Sequence, residues 1–147
     1  MGNLIEMRLF EVGDFNYVFD TFKQHLGTDI DDNELNVKIK NRLSKLAQCW
    51  ICEDMDQRVG FIIVNLARHF AYKKPLLQID WIYLDDKFCN NACLNHIKNH
   101  IANTVKEHIF ESVILTSSGI LNPILMDLIK KNNIIKVMDI VYSMELN

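Results

Sequence analysis

The chain has 147 residues, of which 49% are hydrophobic and 24% charged, and its formal net charge is −3. Such a composition suits a single globular domain over residues 1–147 with a core of its own, and excludes a disordered tail. The acidic balance argues against a nucleic-acid partner, no apolar run reaches the roughly 20 residues of a membrane span, and the N-terminus carries no charged-then-apolar signal, so a cytoplasmic protein is expected.

Residues 4–12 alternate apolar and charged around Ile5, Met7 and Leu9, which predicts a half-buried strand. Gly13 and Asp14 supply a turn and an N-cap. Phe15, Val18, Phe19, Phe22 and Leu26 then keep helical spacing until Gly27. A second helix begins near Asp31 or Asp32, where acidic residues suit the positive end of the helix dipole. Leu35, Ile39, Leu43 and Leu46 mark its buried side, and Lys38, Lys40, Arg42 and Lys45 its solvated side or an anionic-partner surface.

Two strands follow over residues 48–53 and 58–68, joined by the polar tetrad Asp54, Met55, Asp56 and Gln57, which is a hairpin signal. The second of them is apolar on both faces and belongs in the centre of a sheet. Gly60 within it points to a bulge or a close backbone approach. Past a loop at 69–74, residues 76–84 read as a buried strand bounded by Pro75 and the pair Asp85 and Asp86. From Asn91 onward, Leu94, Ile97, Ile101 and Val105 define one helix face.

The segment between that strand and that helix, residues 87–92, organises the rest. Asparagine tolerates the left-handed backbone region, so Asn90 and Asn91 can make a sharp turn without glycine. A strand, a tight turn and a helix start leave backbone N–H groups unpaired and pointing one way, a geometry that binds phosphate. Beyond the helix come a short strand at 112–116, a loop with Ser117, Ser118 and Gly119, and a helix opened by Asn122 and Pro123. Ile124, Leu125, Leu128 and Ile129 form its apolar side, Lys130 and Lys131 close it, and residues 134–146 supply one or two final strands.

The cysteines carry two alternatives. Cys49 and Cys52 have redox spacing, but residues three apart on a strand face opposite ways. Cys89, Cys93, His96 and His100 share a helix face, yet the stripe is roughly 16 Å long at the helical rise, too long for one metal to collect all of them. A pair of them could join outside ligands on zinc; as packing residues and half-exposed histidines they need no metal.

The element order is thus β-α-α-β-β-β-α-β-α-β(-β): an α/β chain of the α+β kind, with a central, mostly antiparallel mixed sheet of 6–7 strands and helices on both faces. In this order, in size and in two local patterns the chain resembles the GNAT-type N-acetyltransferases. Ile82, Tyr83 and Leu84 stand where that family ends its fourth strand, and Cys89, Asn90, Asn91, Ala92, Cys93 and Leu94 stand in its pyrophosphate loop. Asn122 to Leu125, running on to Asn133 and Ile134, is similar to the family's Asn-x-x-Ala…Tyr-x-x-x-Gly-Phe segment. Both loop glycines are absent, Cys89 replaces the arginine in the register that best preserves the following helix, Ile129 replaces the late tyrosine, and Leu94 lies where a glycine leaves room for the cofactor. A register shifted to residues 87–92 restores a basic first residue, Lys87, and a final alanine, Ala92, but shortens the loop by two.

The resemblance implies acetyl-CoA as cosubstrate, held by Ile82, Tyr83, Leu84, Cys89, Asn90, Asn91, Ala92, Cys93, Leu94 and Asn122, with no metal. It implies a primary amine as acceptor, either a small molecule or a protein amino group. Asp80 aligns with the family's acidic position and is the expected base, its carboxyl raised by the apolar strand around it; a salt-bridged or water-facing Asp80 is the alternative. The N–H near Leu84 resembles the family's carbonyl-polarising donor, while Ser117, Ser118 and Tyr142 are weak candidates for the general acid. The rival readings are a GNAT-fold binding or sensing module that has lost catalysis, and an unrelated α+β binding domain. A free final strand could also pair with a second copy in a homodimer.

Overall fold

The computed structural model describes residues 5–26, 31–43, 47–67, 76–108, 113–115, 120–132 and 136–137. Its elements in chain order are β1 (Glu6–Leu9), α1 (Phe15–Leu26), α2 (Asp32–Arg42), β2 (Ala47–Asp54), β3 (Gln57–Ala67), β4 (Leu76–Leu84), α3 (Asn91–His108), β5 (Val113–Leu115), α4 (Pro123–Asn132) and β6 (Lys136–Val137). Short 3₁₀ turns at Val12–Asp14 and Asp86–Phe88 precede α1 and α3.

The strands lie side by side in sequence order. β1 to β4 pair antiparallel, while β5 joins β4, and β6 joins β5, in parallel. The tight turn between β2 and β3 permits antiparallel neighbours, antiparallel β1 and β2 are joined through α1 and α2, and the helical crossovers α3 and α4 are what the parallel neighbours β5 and β6 require. At the β2–β3 turn, Met55 and Asp56 have φ of 48° and 66°. Both central positions are left-handed, as the hairpin turn matched to strand twist demands.

The sheet is sandwiched. On one face α3 and α4 bring Leu94, Ile97, Ile101, Leu125 and Ile129 onto Ile62, Val64, Ile79, Ile82 and Leu84. On the other, Val18, Phe22, Leu35 and Ile39 of α1 and α2 meet Ile51, Phe61 and Ile63. Each fully buried side chain of this size contributes about 1.5–3 kcal/mol, so the alternating faces of β3 explain why that strand is apolar throughout. Cys49 belongs to the α1–α2 core and Cys52 to the α3–α4 core, on opposite faces as a strand's alternation requires.

Polar groups fix the corners. The Asp31 carboxylate caps α2 by accepting from the Asn33 and Glu34 N–H groups at 3.1 and 3.4 Å. Asp14, 1% exposed, receives both Arg8 terminal nitrogens at 2.7 and 2.8 Å, Arg58 Nε at 2.7 Å and the Glu11 N–H at 2.8 Å. It is therefore the junction of β1, β3 and the start of α1, in place of the N-cap that its position suggests: Glu11 caps the 3₁₀ turn and Asp14 is its third residue. Lys38 pairs with Glu34 and Lys40 lies over the Phe15 ring, so the basic side of α2 is a solvated face in these two members.

Three expectations from the sequence are corrected. Leu9, the last residue of the outer strand β1, is 60% exposed. Ile124 is also exposed, since the buried stripe of α4 runs through Leu125 and Ile129. Asn90 and Asn91 are not left-handed: among the described non-glycine residues only Met55 and Asp56 have positive φ. The 3₁₀ turn makes the corner, and Asn90 serves as a cap through its side chain, its Oδ1 accepting from the Cys93 N–H at 2.9 Å. Leu46, the loop at 69–74, Ser117, Ser118, Tyr142, the side chain of Val105 and the final strand beyond Val137 lie outside the described residues.

Candidate active site

The site is built on β4. Its pairing with β3 shifts register between Ile63 and Val64: Ile63 faces Trp81, whereas Val64 faces Ile79. Asp80 is the extra residue, so β4 carries a bulge there. That is why Ile79 and Ile82, three apart, both point into the α3–α4 core. Asp80 is 9% exposed, and its Oδ1 accepts from Gln78 Nε2 at 2.8 Å.

Beyond the bulge, the edge of β4 on the β5 side meets residues 120–122. Ile82 bridges Ile120 in parallel, and the Leu121 N–H donates to the Ile82 carbonyl at 3.1 Å. Asn122 is 2% exposed; its Nδ2 donates to the Leu84 carbonyl at 2.7 Å and to Asp86 Oδ1 at 3.2 Å. Its Oδ1 is buried with no hydrogen-bond partner among the described residues. The Cys89 thiol also reaches the Leu84 and Asp85 carbonyls, at 3.6 Å each. Burial chiefly raises the Cys89 thiol above the usual cysteine range.

Opposite Leu84 stands Gly60. A Cβ there would collide with the Tyr83 carbonyl oxygen and stand 2.8 Å from Leu84 Cδ2. The sequence reading of Gly60 as a bulge or a close approach holds on both counts, since the β2–β3 register also shifts beside it, between Cys52 and Glu53. The Asp85 N–H donates to the Val59 carbonyl, which makes Gly60 and Leu84 a non-hydrogen-bonded pair. Leu84 consequently directs its own N–H away from β3, where it meets no partner among the described residues.

The corner into α3 uses up most of its donors. Phe88, Cys89 and Asn90 donate to the Asp85, Asp86 and Phe88 carbonyls, and Leu94 to the Asn90 carbonyl. With Cys93 taken by the Asn90 side chain, the N–H groups of Asn91 and Ala92 are the open ones, at the positive end of an 18-residue helix. Leu94 is fully buried in the core, so it does not crowd this cradle. Cys93 is likewise a core residue, and His100 packs edge-on to Trp50 at 4.8 Å. Among the described residues no group of His, Cys, Asp or Glu is arranged to hold a metal, and no helix is long and apolar enough to cross a membrane.

The residues named from the sequence thus divide. Leu84, Asn90, Asn91, Ala92, Cys89 and Asn122 converge on the corner, and Ile82 offers it main chain only. Cys93 and Leu94 turn inward, and Ile129 is core. Tyr83 faces the α1 side, where its hydroxyl donates to Asp85 Oδ1 at 2.7 Å and its ring lies 5.0 Å from His25. Burial first, then Asp85, raises its phenol above the usual range. Sequence reading passed over Tyr17, His25 and Asp85 on that face, since nothing in their spacing separates them from ordinary helix and loop residues.

No protein-family model matches the chain, and no curated protein sequence does. Solved structures do. A predicted acetyltransferase with acetyl-CoA from Clostridium acetobutylicum is 18% identical, with 93% of each chain covered and a TM-score of 0.69. A ribosomal-protein-alanine N-acetyltransferase from Brucella melitensis biovar Abortus 2308 is 16% identical, covering 92% of this chain and 94% of that one, with a TM-score of 0.66. The aminoglycoside N-acetyltransferase AAC(6')-Iy in complex with CoA is 10% identical over 94% of this chain and 90% of its own, with a TM-score of 0.68. At these identities the likeness is one of fold, and the fold is that of the GNAT acetyltransferases.

Proposed function

We propose that this chain, built on the GNAT fold, is an N-acetyltransferase that moves an acetyl group from acetyl-CoA to a primary amine. The observation that carries the reading is the corner after β4. The N–H groups of Leu84, Asn91 and Ala92 are open there, and Leu94, the side chain that threatened to fill it, is folded into the core. The residues present fit the cosubstrate, because the buried Asn122 Oδ1 is an acceptor with no internal partner and the α3 N-terminus suits a pyrophosphate. Acetyl-CoA supplies the activated acyl thioester.

The chain's own groups have four tasks. Asn91 and Ala92 hold phosphate oxygens through their N–H groups. Asn122 fixes the Leu84 carbonyl and offers Oδ1 to an amide of the cosubstrate, while Cys89 and Asn90 shape the corner around it. The Leu84 N–H donates to the carbonyl oxygen on which charge develops. Asp80 takes the proton that the acceptor's ammonium must lose before its nitrogen can attack. The enzyme so read works in the cytoplasm as one domain, on a small-molecule or protein amine.

One rival has its own support. Asp85 and Asp86 bring carboxylates to the corner, and Ile129 is core where the resembling family has its acid, so a binding module without turnover is the second reading. Release of free thiol from acetyl-CoA, followed with a panel of primary amines, separates them. Amine-dependent release supports the transferase; acetyl-CoA binding without release under any amine supports the module.

A further inference from the structure

On the α1 face of the sheet, next to the bulge, half-buried aromatic rings and one carboxylate gather. Trp81 stands edge-on to Phe22 at 4.9 Å, and Tyr83 lies tilted against His25 at 5.0 Å. Tyr17 meets Phe61 edge-on at 6.2 Å. Asp85 uses one oxygen on the Tyr83 hydroxyl and has no Lys or Arg partner among the described residues. Arg58, whose charge reaches Tyr17, is already held by Asp14.

Two polar atoms here are buried with no hydrogen-bond partner among the described residues: Tyr17 Oη and His25 Nε2. The core beneath includes Val18, Phe22, Phe61 and Ile63, with Tyr17, Trp81 and Tyr83 packed against it. Buried polar atoms are normally satisfied, so two without a partner among the described residues, beside half-exposed rings and a carboxylate with no opposite charge among those residues, suit a bound ligand. A cation beside ring faces is attracted by their quadrupoles, and a carboxylate adds a charge-assisted hydrogen bond. Flat apolar groups stack on or against such rings.

We infer that this face, framed by Tyr17, His25, Trp81, Tyr83 and Asp85, is the acceptor site, and that the acceptor is a primary amine bearing an aromatic ring. The inference rests on the transferase reading and gives its substrate class. The ammonium lies between Asp85 and the rings of Tyr83 and His25, and the aromatic group packs on Trp81. This is the docking position: Asp80 lies five residues back along β4, roughly 16 Å away at the strand's rise, so the amine gives up its proton to Asp80 only after moving along the strand.

The test is calorimetric titration of the unmodified chain, without acetyl-CoA, using 2-phenylethylamine, 2-phenylethanol and n-butylamine as probes. Saturable binding of 2-phenylethylamine is expected, with the other two at least about tenfold weaker. Asp85→Asn should lose about tenfold, with Asp20→Asn, an exposed carboxylate elsewhere on α1, unchanged. Trp81, one of two tryptophans in the chain, should change emission on binding; Trp50 is buried under the opposite face. No saturable heat up to about 10 mM, equal binding of all three probes, or an unaffected Asp85→Asn variant would overturn the inference. Because acetyl-CoA is absent from the cell, its failure to bind in a separate titration leaves this result standing. Acetyl-CoA binding without amine binding overturns the acceptor site alone.

Discussion

Replacing Gly60 with alanine tests the packing that holds the site together. The added methyl would press on the Tyr83 carbonyl oxygen, with Leu84 Cδ2 at 2.8 Å and Leu84 Cα at 3.2 Å. A flexible side-chain tip could swing aside, but the Tyr83 oxygen is main chain inside the β3–β4 ladder, so the strands themselves must part. Overpacking costs about 1–3 kcal/mol, and a backbone obstacle places this variant at the upper end, about 3 kcal/mol. For a chain of this size about 1 kcal/mol shifts the melting temperature by roughly 2–4 °C, so a fall of about 6–12 °C is expected. Gly13→Ala is the control: nothing lies within 4 Å of its Cβ, and the loss of unfolded-state freedom should leave stability unchanged or raise it by about 0.4–1 kcal/mol. Urea melts of both variants decide the matter. A Gly60→Ala midpoint equal to the parent's would refute the close approach of β3 and β4, and with it the orientation assigned to the Leu84 N–H.

Other outcomes follow from the same geometry. Asp14 is held far below the usual carboxylate range, first by the Arg8 hydrogen bonds and against the opposing effect of burial. A depressed carboxylate contributes stability that is complete above its unfolded pKa of about 3.9 and fades as pH falls below it. Urea midpoints should therefore hold from neutrality to about pH 5 and drop below about pH 4. Asp14→Asn should cost about 1–3 kcal/mol at neutral pH, less than a fully buried pair because Arg8 and Arg58 are 31% and 41% exposed; an unchanged acid limb in that variant would count against it. Asp80→Asn should keep acetyl-CoA binding and slow amine acetylation by about 10²–10⁴ at neutral pH; unaltered turnover would remove Asp80 as the base. Burial pushes the Cys49 and Cys52 thiols up to about 12. N-ethylmaleimide followed by peptide mass spectrometry should thus label the native chain slowly, at Cys89 first, and prompt modification of Cys49 or Cys52 would contradict their burial.

What the sequence made legible was periodicity. The alternation in β3, the 3.6-residue spacing of α1 and α3, the hairpin tetrad and the proline opening α4 are each local, and each determines an element. The stripe through Leu94 and Ile97 even settled which way Leu94 points, though its place in a loop pattern suggested the opposite. What stayed hidden depends on long-range pairing. The Asp80 bulge exists only relative to Val64 on the neighbouring strand, and Asn122 finds the Leu84 carbonyl 38 residues away. The two arginines on Asp14 come from separate strands. The asparagine corner was misread because a residue type that tolerates left-handed backbone can equally cap a helix with its side chain, and the 3₁₀ turn made the first use unnecessary.

Thermal unfolding with and without acetyl-CoA bears most directly on whether the corner after Leu84 holds the cosubstrate. At about a hundredfold above its dissociation constant, a ligand of the folded state adds about 2.7 kcal/mol, which corresponds to a rise of roughly 5–11 °C. That rise is expected, reduced when Asn122 is replaced by alanine. An unchanged melting temperature at millimolar acetyl-CoA would contradict the transferase reading.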